Sequence, residues 1–142
     1  MNLSDLLASA VLSTRSDAII AADTDGIIRF WNPGAERIFG HSAADAVGRS
    51  LDLIIPERLQ QRHWDGYRHT MKTGESRYGE GDMLAVPALH KNGTTLSIEF
   101  TIMPVKDESG RAIGMGAIIR DVTKRFDEMR ELKRKLAGLG RS

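Results

Sequence analysis

The chain has 142 residues, of which 41% are hydrophobic and 27% charged, and its formal net charge is +1. This length supports one domain with a real core, and the near-neutral charge favours neither nucleic acid nor an anionic membrane as a partner. The absence of cysteine excludes disulfides, thiolate metal sites and thiol nucleophiles. No apolar run is long enough to span a membrane, and no basic region precedes apolar residues 3–12, so the sequence predicts a cytoplasmic location.

The first third of the chain has the pattern of a helix followed by a hairpin. Apolar residues at helical spacing within residues 1–14 predict an amphipathic helix. Two short apolar segments flank the turn residues Asp23–Gly26 and predict two antiparallel strands. Asn32 followed by Pro33 is typical of a helix start, with asparagine as the cap. Short helical pieces are predicted from there to Ile55.

The stretch from Pro56 to Gly74 predicts a longer helix with a histidine on its apolar side. Pro56 suits the first helical position, and Gly74 suits the position just past a helix end. The side chains that recur every fourth residue, and so share one stripe, are Leu59, His63, Tyr67 and Met71. A buried imidazole without a partner is costly. His63 therefore needs a backbone carbonyl, a water or the iron of a bound cofactor.

The second half of the chain predicts three strands. Residues 77–89 predict a strand that is irregular at its start and interrupted, or at a sheet edge, near Pro87. His90–Gly93 predicts a hairpin turn with a type I′ Asn-Gly pair. Alternation from Leu96 to Ile102 predicts a strand with one face in the core, and residues 112–121 predict the last strand. Together with the earlier elements, this order predicts an α+β fold with an antiparallel sheet and helices on one face.

The C-terminal segment, residues 124–142, predicts a helix with an apolar seam. The seam has heptad-like spacing and consists of Phe126, Met129, Leu132, Leu136 and Leu139. The simplest interpretation is that this coiled-coil-like helix and the helix within residues 1–14 pack in a homodimer. The alternative is that both helices fold back and cap their own domain.

Motifs along nearly the whole chain resemble the PAS family of sensor domains. The motifs that carry the resemblance are DGIIRFWN at 25–32, AERIFG at 35–40, GRS at 48–50, KNG at 91–93, IG at 113–114 and RDVT at 120–123. The resemblance implies a PAS domain over residues 15–123, with a five-stranded antiparallel sheet that cradles a ligand pocket. It implies signal transduction by sensing or dimerising rather than catalysis. It also implies that the Asp-Val-Thr triplet couples the sheet to a signalling helix and a downstream effector.

Within the PAS family, residues 54–74 look most like the haem-binding oxygen-sensor subgroup. This resemblance implies that His63 is the axial ligand of a b-type haem that binds a diatomic gas. It implies that His69 and Arg77 lie near the haem propionates and that Met83 or Leu84 lies near the distal position. The wider predicted pocket wall consists of Tyr67, Val86, Ile98, Phe100, Ile102, Met115 and Ile119. The chain departs from the subgroup in having no arginine at the distal position.

Other interpretations of the pocket stay open at this point. In one of them, His63 is satisfied by water or a neighbour, and the domain is a cofactor-free dimerisation module or binds a small metabolite. In another, the pocket holds a redox flavin, for which Trp31 and Trp64 are stacking candidates. The four histidines lack zinc-ligand spacing, and the common hydrolase and nucleotide-binding motifs are absent. The sequence therefore predicts a protein that is not an enzyme.

Overall fold

A five-stranded antiparallel sheet is the frame of the structure, a computed structural model that describes residues 1–76 and 83–140. In chain order the elements are α1 (Leu3–Leu12), β1 (Ala18–Asp23), β2 (Ile28–Trp31), α2 (Pro33–Phe39), α3 (Ala43–Ala46), a 3₁₀ turn (Leu51–Ile54), α4 (Glu57–Thr73), β3 (Leu84–Leu89), β4 (Thr95–Lys106), β5 (Ala112–Asp121) and α5 (Thr123–Leu139). The strands lie in the order β2-β1-β5-β4-β3. The predicted α+β fold is confirmed.

The core lies between one face of the sheet and the helices from α2 to α4. Alternate residues of β1 are buried, and strand register puts Ala18 opposite Ile119 and Ala22 opposite Met115 of β5. These side chains pack with Phe39 of α2, which is fully buried. Since side chains alternate between the two faces of a strand, this register fixes which residues of every strand face the core.

Asn32 joins the hairpin, the N-terminal linker and the start of α2. Its side-chain oxygen accepts hydrogen bonds from the backbone N–H groups of Ala35 at 2.9 Å and Ile19 at 2.8 Å. Its amide nitrogen donates to the carbonyl oxygens of Thr14 and Asp17, each at 3.1 Å. The predicted helix cap is confirmed. The same side chain also ties β1 and the segment before it to α2, which the local pattern does not reveal.

The turn between β3 and β4 differs from the predicted type I′ turn. That type needs a positive φ at both central residues. Within the described ranges only glycines have positive φ, and here it is Gly93, with φ 88°. The side-chain oxygen of Asn92 accepts from the backbone N–H of Thr94 at 2.9 Å and from its hydroxyl at 2.7 Å. These bonds favour a loop in which Gly93 alone takes the left-handed conformation.

Helix α4 is one residue shorter at its start than predicted, and the predicted stripe lies on its inward face. Pro56 is the N-cap rather than the first helical residue, whereas Gly74 ends the helix with φ 76°, as predicted. Of the predicted stripe only Tyr67 is buried, and the other buried residue of α4 is Thr70. Trp64 packs against the core cluster. The other three members of the stripe are half-buried, so the stripe faces inward as predicted, and Trp64 widens the inward face beyond the four-residue period.

Strand β3 is at the edge of the sheet, as predicted from its proline. Pro87 pairs with Ser97 of β4, and β3 has no other strand neighbour in the described part of the chain. An edge strand tolerates proline, because the missing N–H group is not needed for a second ladder. The irregular start predicted for this strand falls in residues 77–82, outside the described residues.

Helices α1 and α5 extend from the same end of the sheet. Ala18, at the start of β1, pairs with Ile119 near the end of β5, so the two chain segments leave side by side. Neither helix has a buried residue. Both are amphipathic in sequence, as predicted, and their apolar stripes face away from the core. Among the helices of the described residues, none is long and apolar enough to cross a membrane.

Candidate functional site

Three aromatic side chains on the inner side of α4 form the centre of the candidate site. The ring centroid of His63 lies 4.7 Å from that of Trp64 and 5.7 Å from that of Tyr67. The Trp64 and Tyr67 rings are 5.4 Å apart and nearly perpendicular. Residues one, three and four apart on a helix can share one broad face, so the three rings form a single cluster.

Trp64 anchors α4 to the 3₁₀ turn and to the hairpin between β1 and β2. Its indole N–H donates to the Asp52 carboxylate at 2.7 Å. The ring edge lies over Gly26, where an added Cβ would be 2.1 Å from the nearest ring atoms. Gly26 also has φ 76°, a conformation that L side chains rarely adopt. Glycine is therefore required there by the turn and by the tryptophan.

Tyr67 anchors the same helix to the end of β1. Its hydroxyl donates to the backbone carbonyl oxygen of Asp23 at 2.5 Å. Burial, together with the nearby carboxylates of Asp23 and Asp25, raises the pKa of Tyr67 well above its ordinary value. The hydroxyl thus stays protonated at neutral pH and well above it, and it donates this bond throughout that range.

His63 is half-buried, and one of its ring nitrogens is enclosed without a hydrogen bond. The Nδ1 atom has no partner among the described residues. Burial lowers the pKa of His63, and the Asp52 carboxylate opposes that shift. The imidazole is therefore neutral near pH 7 and has a free lone pair, which is the form that a metal ion or a hydrogen-bond donor requires.

The sheet opposite α4 presents apolar side chains that are only partly covered. Register puts Leu84 of β3 opposite Phe100 of β4, and Phe100 opposite Ile119 of β5, so the three share the inner face. Leu84 and Phe100 are half-buried, and Val86 on the same face is 39% exposed. Ile119, in contrast, is only 2% exposed. The apolar face is closed at β5 and opens toward the β3 edge.

Several predicted site residues do not lie together. His69 is exposed and, at six residues from His63, points about 240° around the helix from it. Met83 precedes β3 and is 57% exposed. Arg77 lies outside the described residues. Ile98 is 5% exposed and belongs to the closed core, as Ile119 does. The propionate and distal roles of these residues stay predictions.

The two tryptophans occupy structural positions. Trp31 is 4% exposed, packs on Phe39 with ring centroids 5.5 Å apart, and donates its indole N–H to the carbonyl oxygen of His41 at 2.9 Å. Trp64 is held over Gly26 as described above. Neither ring is free to stack on a flavin without leaving these contacts. Within the described residues, no group of three or more His, Cys, Asp or Glu side chains is arranged to hold a metal ion.

A hydrogen-bonded junction connects β4 to the exit helix α5. The hydroxyl of Thr123 donates to the Asp121 carboxylate at 2.6 Å and accepts from the Ser97 N–H at 2.9 Å. The N–H of Val122 donates to the Ser97 carbonyl oxygen at 2.9 Å. An ion pair between Arg125 and Glu99, at 2.6 Å, adds a second tie. The Asp-Val-Thr triplet was identified in the sequence, but its partners on β4 were not.

Strand β4 therefore has a different task on each face. The side chains of Ile98 and Phe100 lie on the inner face, whereas α5 is held by the Glu99 side chain on the outer face and by the backbone N–H and carbonyl of Ser97. Successive side chains of a strand point to opposite faces, so the two sets share the same few peptide units.

The chain is similar to a known protein family and to named sensor proteins. A family model described as PAS fold matches residues 12–126. Sensor protein FixL of Bradyrhizobium diazoefficiens is 30% identical over 115 residues, which are 81% of this chain. Oxygen sensor protein DosP of Escherichia coli is 27% identical over 106 residues, which are 75% of this chain. The chain covers only 22% and 13% of the lengths of these two relatives.

Solved structures support the same assignment at the level of the fold. The PAS domain of a protein from Colwellia psychrerythraea superposes with a TM-score of 0.73 at 24% identity. That match covers 87% of this chain and 99% of the other. At this identity the likeness concerns the fold alone.

Proposed function

This chain belongs to the PAS family, and from that premise we propose that it is a sensory domain whose sensing group is a b-type haem held by His63. PAS domains are generally sensory or interaction modules of signalling proteins, so a role in sensing is favoured over catalysis. One relative bears the name of an oxygen sensor, which favours a diatomic gas as the signal.

The single observation that carries this proposal is the state of His63. Its imidazole is neutral and half-buried, and one ring nitrogen is enclosed without a partner. Haem needs such an imidazole beside an apolar slot. The partly covered face of Leu84, Val86 and Phe100 is a suitable wall. The residues present therefore fit the group.

When bound, haem supplies an iron that takes up a diatomic gas reversibly. The chain's own residues would hold the group, fix the position of α4 and exclude water. His63 would hold the iron, and the anchored rings of Trp64 and Tyr67 hold its helix in place. The apolar side chains of β3 and β4 keep water from the buried face. Met83 remains the candidate for the distal side.

The signal is passed to α5 through β4. A change at the inner face near Phe100 moves the peptide units that also carry Ser97 and Glu99, the residues that hold α5. The equilibrium between two positions of α5 then depends on the pocket, which is what a sensory input requires. An effector that receives the position of α5 is part of the proposal.

We propose a second copy of the chain as the partner of the terminal helices. Helix α1 has ten residues and none is buried, and a helix that short is marginal in water without packing. Along α5, Met129 and Leu132 begin an a/d seam, so Glu128 takes a g position and Lys133 the following e position. In a parallel pair, Glu128 of one copy meets the oppositely charged Lys133 of the other.

The decisive experiment is the absorbance spectrum of the purified chain, repeated after mixing with hemin, for the wild type and His63→Ala. We expect a sharp Soret band in the wild type that shifts on reduction and on addition of CO. In His63→Ala the band should be lost or broadened. His90→Ala is the matched control, because it removes a histidine in the turn between β3 and β4, outside the candidate site, and it should keep the wild-type band positions.

Absence of a stable Soret complex in the wild type would contradict the haem proposal. The domain would then be a PAS interaction module, or a sensor of a flavin or a small metabolite. Mass spectrometry of the molecule that co-purifies with the chain would distinguish between them.

A further inference from the structure

We infer that Asp52 and Trp64 are positioning residues for His63, which together orient its imidazole and set the charge that a bound iron experiences. The role of charge rests on the proposed function, because it needs a bound iron. The orientation of His63 concerns the chain alone. Three contacts carry the inference, which are the Asp52–Trp64 hydrogen bond, the Trp64–His63 ring contact and the contact of Trp64 with Gly26.

The first step is that Trp64 limits the rotation of α4. Its indole N–H is bonded to Asp52 on the 3₁₀ turn, while the Tyr67 hydroxyl is bonded to Asp23 at the end of β1. The two bonds reach different elements from neighbouring positions of one helix. Rotating α4 about its axis would break both. Since His63 is adjacent in sequence to Trp64, the direction of its side chain is set by the same two bonds.

The second step is that the Trp64 ring supports the imidazole directly. The edge-to-face contact at 4.7 Å leaves the imidazole little freedom to turn without a clash or a loss of contact. The Trp64 ring itself fits over Gly26, where any other residue would have a Cβ, and its bond to Asp52 holds it there. The imidazole is thus oriented before any ligand arrives.

Asp52 also brings a negative charge to the surroundings of His63. Asp52 is half-buried and its carboxylate acts on the His63 imidazole through space. A negative charge near a ligating histidine makes the imidazole a stronger donor and favours the more highly charged ferric iron. Asp52 thereby lowers the reduction potential of a bound haem. A gas sensor needs ferrous iron, so this carboxylate tunes the range of potentials in which sensing occurs.

Two variants separate orientation from charge. Asp52→Asn keeps an oxygen that accepts the indole N–H bond but removes the charge. Trp64→Phe keeps an aromatic ring on Gly26 but removes the donor. The matched control is Asp65→Asn, an exposed carboxylate on the same helix that is bonded to Arg68 at 3.1 Å and to Gln61 at 3.4 Å. Far-UV circular dichroism checks that each variant folds.

In the ligand-free chain, nuclear Overhauser effects between the His63 ring and the aromatic ring at position 64, which is tryptophan or, in Trp64→Phe, phenylalanine, report the orientation. We expect them to persist in Asp52→Asn and in the control and to weaken in Trp64→Phe. With hemin bound, we expect a higher reduction midpoint in Asp52→Asn than in the wild type. The iron–histidine stretching band in resonance Raman spectra should shift in Trp64→Phe.

The possible results distinguish the positioning role of Trp64 from the binding of haem. Unchanged ring contacts in a folded Trp64→Phe would overturn the positioning role, whether or not the wild type binds haem. An unchanged midpoint in Asp52→Asn, with haem bound, would overturn the charge role. If the wild type takes up no haem, the proposed function and the charge role fail together, and the ligand-free spectra still decide the orientation.

Discussion

Asn32 joins three separate segments through one side chain. It is 1% exposed, and its single side chain bonds the N-terminal linker, β1 and the first turn of α2. A buried amide with every group satisfied is favourable only while all its partners remain, because each orphaned group costs its full desolvation. Its effect on stability should therefore be large for one polar residue.

Replacement of Asn32 by alanine tests this. We expect Asn32→Ala to destabilise the fold by about 2–4 kcal/mol, because two N–H groups and the Asp17 carbonyl lose their partner, while the Thr14 carbonyl keeps only its bond from Gly34. Asn92→Ala is the matched control at an exposed turn and should cost about 1 kcal/mol or less. Urea denaturation of both variants measures the difference. Equal losses would contradict the account of Asn32 as a junction.

Helix α4 is held by its side chains more than by its own helical tendency. It contains Gly66 in its interior and has no side-chain cap bond at its start. The anchors are Trp64 and Tyr67, which reach back 12 and 44 residues in sequence. Such distant pairings depend on the assembled fold, so no periodicity along the helix predicts them.

Substitutions at two glycines test separately the contact of Trp64 with Gly26 and the helical tendency of α4. Gly26→Ala should destabilise the protein and shift Trp64, since its Cβ would lie 2.1 Å from the ring and its φ of 76° is strained for alanine. Gly66→Ala meets no atom within 4 Å and should stabilise the fold by about 0.5–1 kcal/mol. Thermal midpoints measure both, and Trp64 fluorescence reports its surroundings. Equal effects of the two substitutions would contradict the contact with Trp64.

The elements of this fold differ in how far the sequence determines them. Asn32–Pro33 and the bounds of β5 are local signals, and the sequence predicted both of them. The type of the Asn92–Gly93 turn was predicted wrongly, because the side-chain bonds of Asn92 outweigh the local pattern, and the packing of Trp64 against the core was not predicted. In the candidate site, His63 came from spacing and resemblance, whereas Asp52 enters it only through the tertiary fold.

At the scale of the whole molecule, the exposed apolar stripes of α1 and α5 are the largest departure from a self-contained domain. Five apolar side chains on α5 are between 48% and 74% exposed. A parallel pair of copies would cover them and bring the two domains to the same end. Because the seam is short, the charges that flank it contribute measurably to the free energy of association.

A charge exchange on α5 tests this assembly. Glu128→Lys should weaken the dimer by placing it against Lys133 of the other copy, and Lys133→Glu should weaken it in the same way. The double exchange should restore association to near the wild-type constant. Sedimentation equilibrium measures each constant, with Glu108→Lys in the exposed turn after β4 as the control. A wild type that is monomeric throughout would contradict the proposed second copy.

Because the inner and outer faces of β4 share the same peptide units, what reaches Glu99 and Ser97 is a movement of backbone and carries no record of the chemistry that caused it. Any occupant that displaces Phe100 by the same amount would have the same effect on α5. The pocket can thus exchange its ligand in the course of evolution without a new output being built. Conversely, the residues around α5 say nothing about the ligand, which has to be sought on the inner face alone.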